Sequence, residues 1–210
     1  VHVNDLVLFG DVLTVDADRR FLHRGAVYVH DGAIEAVQPE KAAPPAGFGN
    51  ARRVRTEGVI TPGLIDLHNH LAYNTLPLWV ARDDPYRTRY QWPGAATYQS
   101  DVSNPAQALG IAAAAAALRF AEVKAVVGGV TAIQGSPPVT RAFPGWMVRN
   151  VEKEALGSKK PIFQSVLPAT PEQLDTTAAR MAEGRSFVYH LAEGIDDKLR
   201  SEFTLLSDHR

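Results

Sequence analysis

The sequence predicts an α/β protein, a partial parallel (β/α) barrel preceded by a small β module. Three observations carry that prediction. Residues 1–57 hold short strand-like runs around a tight-turn signal. From Gly58 onward apolar strands alternate with helix-forming stretches. One of those strands closes on two histidines and an acid spaced to share a face. Alternation of strand and helix implies parallel strands joined by crossover helices. At 210 residues and 45% hydrophobic the chain can bury a sizeable core in one or two domains, and we expect the division at 57/58.

In the first part, Asp5–Val15 alternates weakly around Leu6, Leu8, Val12 and Val15. A short strand at Ala26–Val29 and a return strand at Ile34–Val37 flank Asp31-Gly32, a hairpin signal. Lys41–Asn50, rich in Ala, Pro and Gly, reads as a surface loop, and Arg52–Arg55 as another short strand.

In the second part, Val59–His70 reads as a turn and an apolar strand, and Tyr73–Asn104 as a long polar and aromatic stretch. Pro105–Val127 reads as one long helix around the alanine run Ala112–Ala117, because alanine is the best helix former. Asn104 is its expected cap, with Pro105 at the first helical position and Gly128-Gly129 as its stop. Val130–Gln134 is the next strand, followed by a turn-rich loop at Ser136-Pro137-Pro138 and a helix near Met147–Leu156. Strands at Pro161–Leu167 and Ser186–Leu191 enclose a helix at Pro171–Glu183, and a further helix begins at Asp196 and runs to Leu206. No Gly-x-Gly-x-x-Gly follows a strand and no phosphate loop is present, which disfavours an open nucleotide-binding sheet.

Composition removes several functions. A net charge of −1 offers no basic surplus for a phosphate backbone, so nucleic acid is not an expected partner. Zero cysteines exclude disulfides and thiolate metal sites, so a metal must sit on His, Asp or Glu. No apolar run is long enough to span a membrane and the first residues do not form a signal peptide, so the cytoplasm is the expected location. The first residue is not Met, so the numbering can begin inside a longer chain.

The chemistry concentrates at Asp66-Leu67-His68-Asn69-His70. Side chains alternate along a strand, which puts Asp66, His68 and His70 on one face and Ile65, Leu67 and Asn69 on the other. Imidazoles about 7 Å apart along one strand can converge on one ion. Reactive groups of parallel barrels gather at strand C-terminal ends, where these histidines lie. A buried charged face in an apolar strand calls for a partner, and a cation serves. Val188–Glu193 adds His190 near a strand end and Glu193 three residues later. A water acidified by a metal can pass its proton through such a carboxylate to a leaving group. A lone core histidine beside a solvated glutamate is the blander reading of that pair. The letters His-Asn-His also name a nuclease class, which a buried strand without cysteine knuckles or basic surface disfavours.

Ile60–His70 closely resembles the first barrel strand of the amidohydrolase superfamily, in which the paired histidines ligate metal. The β module with its Asp31-Gly32 hairpin is similar to that family's N-terminal sandwich segment, and Asn74–Trp79 looks like the loop after the first strand in the cyclic deaminase and chlorohydrolase branch. The resemblance implies a TIM-like barrel behind a small N-terminal β-sandwich segment. It implies one divalent metal ion, zinc or else iron, on His68, His70 and His190, with Glu193 as the proton-moving catalytic residue. In that family the histidine of the fifth strand ligates the metal or contacts its water. The fourth strand, Ile162–Leu167, lacks the lysine or acid that bridges two metals, and Lys159 and Lys160 precede it at the wrong end. This favours a single metal. A sixth-strand histidine and an eighth-strand aspartate are expected by the family and not found before Arg210. His209 and Asp208 fit neither place, so the chain is expected to be the first half of a longer barrel.

The loop after the first strand gathers Tyr73, Trp79, Arg87, Arg89, Tyr90, Gln91 and Trp92, any of which singly is more ordinarily lid packing or surface charge. Aromatic rings there could stack on a flat heterocycle while Arg or Gln fixes its polar edge. Trp79 and Gln134 are the expected substrate contacts, with Ser136 placed like Gln134. His2, His23, His30 and His209 are expected at the surface. The expected function is metal-dependent deamination or hydrolysis of a C–N bond in a small, cyclic substrate. Hydrolysis of a cyclic amide or lactam on the same scaffold, and a truncated, non-catalytic metal-binding module, are the alternatives. The partner is a small-molecule substrate, with no nucleic acid and no membrane, and assembly into a homo-oligomer is left open.

Overall fold

The computed structural model describes residues 5–80, 86–135, 147–152, 163–165 and 170–208. The expected features at His2, Ser136-Pro137-Pro138, Lys159, Lys160 and His209 lie outside them. The chain divides into two compact units, Val1–Gly63 and Leu64–Arg210.

The first unit is one four-stranded mixed sheet in the order β3-β2-β1-β4. β1 (Asp5–Leu13) pairs antiparallel with β2 (Phe21–His30), and β2 with β3 (Ala33–Pro39). β4 (Arg52–Ile60) lies parallel to β1 on the other side, and so runs well past the four residues expected of it. Asp31 (φ 47°) and Gly32 (φ 79°) make the β2–β3 turn with both central residues left-handed, the form that matches strand twist. Val7, Ala26 and Tyr28 pack with Phe48 and Ala51 of the β3–β4 connection, Tyr28 and Phe48 meeting edge to face at 5.1 Å. On the opposite face Val12, Val27, Val37 and Ile60 line an apolar cleft of about 210 Å³.

The second unit carries the alternating elements. β5 (Leu64–Asp66), β6 (Val130–Ile133) and β7 (Arg149–Asn150) form a parallel sheet in that order. β8 (Phe163–Ser165) and β9 (Phe187–Tyr189) form a second parallel pair. Among the described residues these strands do not close on one another. β7 stands where a helix near Met147–Leu156 was expected. Its pairing with β6 decides the matter, since two residues carry no periodicity of their own.

The expected helix over 105–127 is two. α1 (Ala96–Tyr98) runs through a π-helical turn at Gln99–Ser103 into α2 (Asn104–Ala112), and α3 (Ala114–Val127) follows a break at Ala113 (φ −149°, ψ 33°). Asn104 is therefore helical rather than a cap. α2 buries no residue, whereas α3 buries Leu118, Ala121 and Glu122, the i, i+3, i+4 stripe of a docked helix. Propensity alone favours continuity, so the docking of α3 sets the break. Leu118 and Ala121 join Leu71, Ile133 and Val148 in the core of this unit.

α4 (Pro171–Ala182) starts on a reciprocal capping box between Thr170 and Gln173, and α5 (Asp197–Asp208) follows β9. Among the described residues β5 is an edge strand whose Leu64 and Ile65 are 60% and 52% exposed, with Leu67 just after it 74% exposed, against the expectation of a buried strand. Among the described residues no helix is long and apolar enough to cross a membrane.

Candidate metal centre

β5 ends at Asp66, yet its backbone stays hydrogen-bonded to the strand beside it. Gln134 N donates to the Asp66 carbonyl at 2.9 Å, and Asn69 N donates to the Gln134 carbonyl at 2.7 Å. A regular parallel ladder would return two residues after Asp66, so the chain bulges by one residue at Leu67-His68. The Asp66 carboxylate is used locally. It accepts from His68 N at 3.2 Å and from Asn69 Nδ2 at 2.8 Å. Asp66 thus shapes the turn and is not part of the histidine cluster, contrary to simple alternation, because the strand stops before alternation can reach His70.

The bulge brings His68 and His70 edge to face, 4.7 Å between ring centroids. His190, the residue after β9, enters from the second strand pair, its ring 4.5 Å from that of His68 and 6.1 Å from that of His70. His190 Nε2 and His68 Nε2 are 3.1 Å apart, and one ligand atom from each of the three histidines lies within 4.8 Å of the others. Zinc bound by imidazole nitrogens at about 2.0–2.1 Å separates them by roughly 3.4 Å. The cluster brackets that spacing, and three imidazoles without sulfur suit a borderline divalent cation. Burial first, and the neighbouring His68 and His190 next, push the His70 pKa below its ordinary value, which favours the neutral imidazole that ligates metal.

Glu193 lies outside the three-histidine group. Its carboxylate is half-exposed and 3.7 Å from Arg89 Nη1, and its carbonyl accepts from Arg89 N at 3.0 Å. Arg89 belongs to the loop after β5 and is buried. Its guanidinium donates to the His190 carbonyl and, at 2.9 Å, to Glu202 of α5. Glu202 also accepts from Tyr90 Oη at 2.5 Å and from Ala192 N at 3.2 Å. One buried ion pair therefore ties the aromatic loop, the His190–Glu193 segment and α5 together.

Gln134 is 1% exposed. Its amide faces His68 Nδ1 at 3.2 Å with Oε1 and Glu152 Oε1 at 2.5 Å with Nε2. Asn150 donates to the Gly135 carbonyl at 2.7 Å and accepts from Glu152 N at 3.0 Å, fixing both ends of this arrangement. Gly135 is required by close approach, because a Cβ there would run into the Asn69 carbonyl.

Trp79 is half-buried between Tyr86, at 5.9 Å and nearly parallel, and the edge of Tyr98 at 5.1 Å. It lines a cavity of about 370 Å³ with Tyr73, Asn74, Leu76, Tyr98 and Lys124. Tyr73 in turn meets the His70 ring at 6.2 Å.

Sequence reasoning singled out His68, His70, His190, Glu193, Trp79 and Gln134, and named Arg89 and Tyr90 only among the seven residues of the aromatic loop. It missed Gly135, Asn150, Glu152 and Glu202. Glu152 and Glu202 each fell in an expected helix, and nothing local distinguishes either.

No family model matches the sequence, and no curated protein does. Solved structures match in fold. Guanine deaminase from C. acetobutylicum, solved with guanine in its active site, aligns at a TM-score of 0.57 and 14% identity over 98% of this chain. A mutant of atrazine chlorohydrolase from Arthrobacter aurescens TC1, complexed with zinc and atraton, aligns at 0.65 and 14% identity over 97%. A triazine hydrolase variant aligns at 0.62 and 13% identity over 98%. The chain spans 59%, 58% and 58% of these proteins' lengths. The likeness is one of fold.

Proposed function

We propose that this chain is the metal-binding part of an amidohydrolase-type enzyme that deaminates or hydrolyses a C–N bond in a small cyclic substrate. One observation carries the reading. Three imidazoles carried by two separate parallel sheets present ligand atoms within 4.8 Å of one another. His68, His70 and His190 would hold one divalent ion, zinc in the first place and iron in the second. When bound, such an ion supplies the Lewis acidity that brings a coordinated water's pKa toward neutrality. Glu193, tethered by Arg89 on the segment that carries His190, takes a proton from water and returns it to the leaving nitrogen. Trp79, Tyr73 and Tyr98 line one cavity, in which aromatic walls can stack on a flat ring, and Tyr73 also meets the His70 ring. The chlorohydrolase of similar fold was solved with zinc and the guanine deaminase with guanine, and both support this class.

The same reading places β5 to β9 as the first strands of a barrel. It also makes the four-stranded sheet one half of a sandwich, whose apolar cleft offers the face for a second layer.

The test is metal analysis of the purified chain and, on the full-length protein that contains it, a screen for ammonia release from aminopurines, pyrimidines, triazines and cyclic amidines. We expect stoichiometric zinc or iron and turnover in one of these classes. Glu193→Gln should abolish turnover with metal retained, and turnover kept in that variant removes its role. Metal bound without turnover on any substrate leaves a non-catalytic module.

A further inference from the structure

We propose that Gln134 and Glu152 form a positioning relay that fixes the tautomer of His68 and so aims its Nε2 lone pair into the metal centre; this rests on the metal reading above.

The assignment follows from donor and acceptor capacity alone. A carboxylate at Glu152 only accepts, so the Gln134 side chain must turn its NH₂ toward it, and Gln134 Nε2 lies 2.5 Å from Glu152 Oε1. The Gln134 Oε1 is then left facing His68 Nδ1 at 3.2 Å. An amide oxygen only accepts, so Nδ1 must carry the proton, and in a neutral imidazole Nε2 is left unprotonated. Nε2 is the atom that lies 3.1 Å from His190 Nε2, at the centre of the cluster.

The relay is built to stay in place. Gln134 is 1% exposed, and its backbone N–H and C=O are both engaged by Asp66 and Asn69. Glu152 is set by its N–H to Asn150, whose own amide grips Gly135. Three neighbouring strand ends, β5, β6 and β7, each contribute one member: His68, Gln134 and Glu152. A bond to the far nitrogen of a metal-ligating histidine orients the ring and raises its basicity, and losing one typically costs about 10–100-fold in metal affinity. Gln134 is thus a positioning residue acting through His68, rather than the substrate contact its place after β6 suggests.

The test combines ¹⁵N NMR of the histidine side chains with zinc affinity by chelator competition, on Gln134→Leu, Glu152→Gln and the exchange of both groups, Gln134→Glu with Glu152→Gln. In the metal-free wild type, His68 should carry its proton on Nδ1. Gln134→Leu should release that preference and weaken zinc by about 10–100-fold. The exchange variant puts a carboxylate against His68 Nδ1 and an amide donor behind it, and should restore both the tautomer and the affinity. That rescue is not expected of a merely structural role, and it holds even if Gln134→Leu fails to fold. A proton on Nε2 of His68, or wild-type zinc affinity in both single variants, overturns the relay and leaves the metal centre standing. Absence of zinc binding with Nδ1 still protonated overturns the metal reading and leaves the tautomer lock standing.

Discussion

The ion pair between Arg89 and Glu202 offers the sharpest stability prediction. The two side chains are 8% and 5% exposed and 2.9 Å apart. Replacing Glu202 by Leu removes the acceptor of Arg89, of the Tyr90 hydroxyl and of Ala192 N together. Breaking a buried pair from one side costs about 3–5 kcal/mol. Arg89 keeps the His190 carbonyl and the half-exposed Glu193 carboxylate at 3.7 Å, so the lower end, about 3 kcal/mol, is expected. With a urea slope of about 1–3 kcal/mol/M, the midpoint should fall by roughly 1–3 M. The three tryptophans, Trp79, Trp92 and Trp146, all follow Gly63 in the sequence, so tryptophan fluorescence reports on the part of the chain that carries Arg89 and Glu202. Arg89→Met added to Glu202→Leu should recover part of the loss, because an apolar pair of similar volume leaves no stranded charge. A Glu202→Leu change within about 0.5 kcal/mol of wild type, the range of ordinary surface substitutions, would refute the argument, as would strictly additive losses in the double variant.

Other outcomes follow from the same geometry. Glu122 is buried and accepts from Val148 N at 3.1 Å and Met147 N at 2.8 Å. Glu122→Ala should cost about 1–3 kcal/mol for the stranded Val148 amide, read by urea denaturation, with Glu122→Gln milder because one acceptor oxygen survives. Gly135→Ala should cost about 1–3 kcal/mol of overpacking against the Asn69 carbonyl and weaken zinc binding, by shifting the segment that carries His68 and His70; an unchanged zinc affinity would show that this segment yields freely. The hydrogen bond that His30 Nδ1 donates to the Asp5 carboxylate at 2.6 Å, and then the nearby Asp31 carboxylate, raise the pKa of His30. Its contribution to stability is fully present below the ordinary histidine value of 6.5 and is lost as pH rises through the raised one. NMR titration should place His30 above 6.5 and lower it in Asp5→Asn; an equal value in the two proteins removes Asp5 as the cause.

The site is supported from two sides by groups distant in sequence. Gln134 and Glu152 reach His68 from β6 and β7, and Arg89 with Glu202 holds the backbone of His190 and Glu193 from the aromatic loop and α5. Each histidine-bearing segment thus leaves its strand within a residue or two and is then held by hydrogen bonds rather than by the sheet. Supports of this kind make a ligand geometry rigid where the strand itself no longer constrains it.

By itself the sequence determined what depends on near neighbours. The Asp31-Gly32 turn, the Gly128-Gly129 stop, the alternation of strands and helices and the His68-Asn69-His70 spacing were all readable, because turn chemistry and periodicity act within a few residues. The meeting of His68 with His190 was legible only through family resemblance, since 122 residues separate them. Tertiary structure decided the rest. It broke the alanine-rich helix at Ala113 by docking α3, made a strand of Arg149–Asn150 by offering it the β6 edge, and turned Asp66 away from the histidines through a one-residue bulge. It chose Gln134, Glu152 and Glu202 as supports because parallel strand order sets side by side residues that no local pattern connects.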